Sequence, residues 1–111
     1  MHVREYLTRD GSNPFRKWLG TLDIAVRARV QARVLRFELG NLGDHKSVGA
    51  GVWEARLAFG PGYRIYFGKD GHSIVILLLG GAKASQGRVI QRAQEFWRDY
   101  LEAKKRHGKT K

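Results

Sequence analysis

Cationic side chains on short alternating segments carry most of the chemistry this sequence offers. In Trp53-Glu54-Ala55-Arg56-Leu57-Ala58-Phe59 the residues Trp53, Ala55, Leu57 and Phe59 alternate, and Tyr63, Ile65 and Phe67 alternate a few residues later. Period two is the repeat of a strand with one buried face. Glu54 and Arg56, and then Arg64 and Tyr66, therefore leave their strands on the side away from that apolar set. An arginine so placed can grip a phosphate with two parallel hydrogen bonds, or it can form a surface salt bridge, for which Glu54 is the neighbour. Glu54 itself reads equally as a general base or as a structural partner for an arginine. Tyr66 shares the face of Arg64 and is open to stacking on a base or to packing. Lys83 follows Gly80-Gly81-Ala82, where glycines let an anion approach the backbone; an ordinary solvated loop lysine is the alternative. His45 and Lys46 fall in an expected loop ahead of the first alternating segment, where a histidine is a candidate proton handler and a solvent-facing loop residue is the alternative.

The charge balance narrows the partners. Lys and Arg total 21 against 10 Asp and Glu, a formal net charge of +11 on 111 residues. Such a chain attracts polyanions, with nucleic acid first because each phosphate contact releases counterions. An acidic protein comes second and a membrane surface third, since no basic amphipathic segment stands apart. Arg27, Arg29, Arg33 and Arg36 on one helical stretch fit a solvated face, an RNA footprint or a dock for an acidic segment, and charge alone does not separate these. With no cysteine, disulfides and thiolate metal sites are excluded. His2, His72 and His107 show no metal-ligand spacing, so neither a metal nor another cofactor is expected. Early charge at Arg4 and Glu5 argues against a signal peptide, and the apolar run from Ile74 to Leu79 is too short to span a bilayer. A cytoplasmic protein is the expectation.

Those side chains need a scaffold, and the pattern supplies one. Val3 to Leu7 reads as a short strand. Asn13 can cap a helix that starts at Pro14, carries Phe15, Trp18 and Leu19 on one face, and ends at Gly20. Thr21 can cap a second helix, with Leu22, Val26, Val30, Val34 and Phe37 as its stripe and Gly40 past its end. The two form a hairpin. Gly60-Pro61-Gly62 and Asp70-Gly71 read as turns between strands. Ser73 to Leu79 is apolar on both faces, as a covered central strand is, and Gly80-Gly81 is expected to break it. A last helix runs from about Gln86 to about Lys105, burying Val89, Ala93, Phe96, Trp97 and Tyr100. The expected architecture is one α+β domain over 1–103, ordered β-α-α-β-β-β-α. A small antiparallel-rich sheet packs against a helical hairpin and a C-terminal helix. A basic flexible tail, 104–111, follows.

The run Gly62-Tyr63-Arg64-Ile65-Tyr66-Phe67, followed by Ile76-Leu77-Leu78-Leu79-Gly80-Gly81-Ala82-Lys83, resembles the RelE/ParE toxin superfamily. It looks closest to the HigB-like branch of addiction module killer proteins. Tyr6-Leu7, Asn13-Pro14-Phe15, Trp18-Leu19, Gly40-Asn41-Leu42-Gly43-Asp44, Lys46 and Val48-Gly49 continue the likeness, which spans Tyr6 to Tyr100. It implies a RelE-like fold and the toxin of a type II toxin–antitoxin module. Such a toxin is a metal-independent, ribosome-dependent mRNA endonuclease that inhibits translation. Its cognate antitoxin is often a helix-turn-helix protein from the adjacent gene. ParE relatives share the fold and poison DNA gyrase, and a non-catalytic binding module is a further alternative.

Residue by residue, the resemblance implies Arg64 on the scissile phosphate, Arg56 as a basic residue of the active strand and Lys83 near the catalytic end. Glu54 and His45 are the available proton handlers, and Lys46, Arg88, Tyr66, Arg29 and Arg33 are the candidate RNA contacts. Cleavage through the 2′-hydroxyl needs a base, an acid and positive charge for the phosphorane, and the electrostatic contribution is often the largest. This chain departs from the RelE pattern in two places. Glu54 stands where RelE has a lysine. Gln86-Gly87-Arg88-Val89 stands where relatives carry a tyrosine or histidine, and Arg88 cannot act as a base.

Overall fold

The computed structural model describes residues 1–109, with side chains described as far as His107. The elements are β1 (His2–Glu5), α1 (Pro14–Gly20), α2 (Ile24–Glu38), β2 (His45–Gly49), β3 (Val52–Leu57), β4 (Tyr63–Asp70), β5 (Ile74–Ala82), a 3-10 turn (Lys83–Ser85) and α3 (Gln86–Lys109). The strands form one five-stranded mixed sheet in the order β1-β5-β4-β3-β2. β1 runs parallel to β5, and the other pairs are antiparallel.

Helix starts follow local chemistry. The Asn13 side chain accepts from the Arg16 amide at 3.0 Å, and Pro14 occupies the first helical position, where no N–H is needed. The cap of α2 is Asp23, which accepts from the Val26 amide at 2.9 Å. Thr21, expected to cap α2, instead closes α1 by donating from its hydroxyl to the Trp18 carbonyl at 2.6 Å.

α1 and α2 cover one face of the sheet and α3 the other. Phe15, Leu19, Val30 and Phe37 bury against Ala55, Ile65, Phe67 and Leu77 on the first face. Ala93 and Trp97 bury against Val52, Tyr66, Ile76 and Leu78 on the second. Burying one such large apolar side chain is worth about 1.5–3 kcal/mol, so the period-two pattern fixes which face each polar strand residue occupies.

Three further features differ from the sequence expectation. Residues 45–49 form strand β2, not a loop; Lys46-Ser47-Val48 lacks alternation, and pairing with β3 supplies what propensity does not. Gly80-Gly81 does not break β5, which continues to Ala82. The glycines are there because a Cβ at Gly80 would lie 2.1 Å from Trp18 Cε3 and one at Gly81 would lie 3.0 Å from Val89. The stretch expected to be a loose tail is helical from Lys104 to Lys109, with Lys104 bonded to Asp70. The last two positions of that expected tail, 110–111, lie outside the described residues.

Candidate nucleic-acid interface

Strand register places the cations. Arg56 on β3 pairs directly with Arg64 on β4, and Arg64 pairs with Gly81 on β5. Residues directly opposite on antiparallel strands share a face, with Cβ atoms about 4.5–5.5 Å apart. The next row on this face holds Lys46, Glu54 and Tyr66. Lys83 joins from the end of β5, its amide donating to the Gly62 carbonyl at 2.9 Å. α3 starts beside this row, where Gln86 reaches Glu54, and leaves Arg56 open to solvent.

Like charges directly opposite each other destabilise a sheet. The counter-charges differ in depth. Arg56 Nε lies 3.3 Å from Asp44 Oδ2 in an exposed pair, which contributes at most about 1 kcal/mol. Arg64 Nε lies 3.6 Å from Glu54 Oε2, and Arg64 is 8% exposed while Glu54 is fully buried. That separation is too long for a hydrogen bond.

Glu54 Oε2 accepts instead from the Tyr66 hydroxyl at 2.9 Å and from Gln86 Nε2 at 2.8 Å. Arg64 Nη1 donates to the Gly62 carbonyl at 3.0 Å. Glu54 Oε1 and Arg64 Nε are buried without a hydrogen-bond partner among the described residues. Such atoms carry a desolvation penalty of about 1–3 kcal/mol each. Burial, and then the bond to Glu54, push the Tyr66 hydroxyl far above its ordinary value. It remains a neutral donor.

This network decides between the alternatives that the sequence left open at two positions. Tyr66 is completely buried under α3, so it has no free ring face for a base. Glu54 is equally sealed, which removes it as a general base and makes it the buried partner of Arg64. Gln86, which the sequence marks only as a helix start, orients that carboxylate; nothing in its local pattern points to this.

His45 faces the other way. It pairs with Ala55 on the α2 side, its Nδ1 is 2.8 Å from the Gly43 carbonyl, and its ring centroid is 5.5 Å from that of Trp53. The sheet separates it from Arg56 and Arg64, so it handles no proton there. Arg33 is also not an RNA contact. It is buried, and it donates to the carbonyls of Arg56 at 2.9 Å, Leu42 at 3.2 Å and Asp44 at 3.0 Å. Burial, with Arg36 nearby, lowers its pKa. Its work is to hold the loop before β2 against the β3 backbone that carries Arg56.

Arg29 is exposed but lies over the Phe59 ring, 3.9 Å from its centroid, on the helical-hairpin side. Lys46 and Arg88 are exposed. The structure thus brings together Arg56, Arg64 and Lys83 with Lys46 on the same face, and leaves His45, Arg29 and Arg33 elsewhere.

The fold and this face define an α+β protein with a cationic end to its sheet. Among the described residues no helix is long and apolar enough to cross a membrane, and no three His, Cys, Asp or Glu side chains group to hold a metal. No family model matches the chain, and no solved structure matches it. An uncharacterized protein of Haemophilus influenzae is 41% identical over 81 residues, which cover 72% of this chain and 82% of that protein. The chain belongs to the same family as that Haemophilus influenzae protein.

Proposed function

We propose that the protein is a type II toxin of the RelE/ParE kind that acts on messenger RNA at the ribosome. The observation that carries the reading is exposed Arg56 and Lys83 at one sheet end, with buried Arg64 directly opposite Arg56, in a chain with net charge +11. The exposed Arg56 guanidinium offers a phosphodiester planar paired donors, and Arg64, held behind it on Glu54, adds positive charge from within the sheet. In support, the order of strand, two helices, strands and helix agrees with the expected β-α-α-β-β-β-α except for one further strand, β2, at the sheet edge.

In the proposed reaction the ribose 2′-oxygen attacks phosphorus and the P–O5′ bond breaks. A proton leaves the 2′-hydroxyl and another reaches the departing 5′-oxygen. Arg56 and Lys83 neutralise the charge that builds on the phosphorane oxygens, and Arg64 supports them from beneath. Glu54 and His45 are not placed to move either proton. The proton handlers therefore come from the ribosome, and free RNA is cleaved slowly, since one positioned acid or base is worth about 10²–10⁴-fold. The partners of this reading are the ribosome, mRNA and a cognate antitoxin, a helix-turn-helix protein encoded in the adjacent gene.

The test is controlled expression in bacteria with RNA 5′ ends mapped after induction. New ends inside translated messages are expected, together with translation arrest, and both should vanish in R56Q/K83Q, whose altered side chains are exposed. DNA breaks with translation intact would place the target at gyrase instead. Harmless expression of the wild-type protein would make the fold a binding module.

A further inference from the structure

β1 pairs with β5 only as far as Glu5 opposite Leu77, with the Tyr6 amide on the Leu77 carbonyl at 2.9 Å as the last bond. β5 runs on to Ala82. From position 78 to 82 no strand among the described residues flanks it on that side, although β4 pairs along the other. An unpaired sheet edge is a template for another chain. Here it forms the floor of a cavity of about 730 Å³ between α1 and α3.

The cavity is shaped for a flat occupant. Trp18 covers Gly80 from the α1 side and Val89 covers Gly81 from the α3 side, both so closely that neither glycine has room for a Cβ. Both glycines line the cavity even so. The β5 backbone is therefore reachable only in the plane of the sheet, which suits an extended peptide. At the rim are exposed Lys17 on α1 and Arg92 on α3. Among the described residues Asp10 is the one acidic side chain lining it, and its carboxylate is occupied by Thr8 and the Ser12 amide.

We propose that this slot is a protein-docking site that takes an extended acidic segment of a partner as an added strand on β5. Backbone bonds from alternate residues within 78–82, those whose N–H and C=O point away from β4, give the affinity, and acidic side chains meeting Lys17 and Arg92 give the selectivity. The inference does not rest on the RNA reading, because Arg56, Arg64 and Lys83 do not line the slot.

The probe is a short capped valine-rich peptide with two adjacent glutamates, one for each face of the sheet, titrated into the isotope-labelled full chain and followed by amide shifts and hydrogen exchange. The largest shifts and new protection are expected within 78–82. K17E/R92E should weaken binding about tenfold or more, and a valine–lysine peptide should not bind wild type. Three results would overturn the proposal: no binding at millimolar peptide, shifts centred on Arg56 and Lys83, or equal binding to K17E/R92E. Protection of 78–82 that rises with protein concentration alone would overturn it too, assigning the edge to a second copy of this chain.

Discussion

Replacing Glu54 by glutamine removes one negative charge from a fully buried position and leaves Arg64, itself 8% exposed, facing a neutral amide. The Tyr66 and Gln86 donors keep an acceptor in the glutamine oxygen, so the loss is that of the counter-charge. Stranding one member of a buried pair costs about 3–5 kcal/mol, against a total of about 5–15 kcal/mol for a domain. At about 4–8 °C per kcal/mol for a domain of this size, E54Q should melt at least about 12 °C below wild type. E54Q/R64Q should recover most of the loss, because removing both members of a buried pair is often close to neutral. Inorganic phosphate should raise the melting temperature of E54Q more than that of wild type, since the released guanidinium gains an anion that only the folded state holds. Thermal and urea unfolding followed by circular dichroism read all three. An E54Q protein as stable as wild type would refute the reasoning, as would a double variant whose loss equals the sum of the singles.

Gly80→Ala would put a Cβ 2.1 Å from the Trp18 ring, and overpacking of this kind costs about 1–3 kcal/mol; the urea midpoint should fall and tryptophan emission should shift. R33M strips the donor from three carbonyls and should cost about 1–3 kcal/mol for each one left buried without a partner, with faster hydrogen exchange over 42–45 as the local readout. Lys104, with Tyr100, holds the Asp70 carboxyl below its ordinary 3.8. That clasp on α3 is therefore intact above pH 3.8 and is lost as pH falls below it. The melting temperatures of wild type and D70N should differ at neutral pH and converge in acid. Purified protein should cut free single-stranded RNA at least about a hundredfold more slowly than ribosome-bound message.

Much of the fold was legible because its signals are local. Asn13-Pro14, the stripe from Val26 to Phe37 and the alternation through Trp53 and Ile65 each state a period and a boundary. That Arg56 and Arg64 each point away from the apolar set followed from that alternation, and the strand register then put them on one face. What escaped depends on neighbours distant in sequence. β2 exists because β3 offers it an edge, and Gly80-Gly81 continue a strand because Trp18 and Val89 occupy the space a side chain would take. Tyr66 and Glu54 lie on the expected face, but α3 and Gln86 cover them, and depth cannot be read from alternation. Arg33 shares its helix with exposed arginines and differs only in finding three carbonyls beneath it.

The salt dependence of RNA binding tests the cationic row most directly. For a labelled single-stranded RNA, the slope of log K against log salt measures the phosphates neutralised, about 0.7 for each. R56Q and K83Q should each lower the slope by about that amount, while R29Q, on the helical-hairpin side, should leave it unchanged. A slope indifferent to R56Q and K83Q, or one that R29Q lowers as much, would contradict the assignment of an RNA phosphodiester to this end of the sheet.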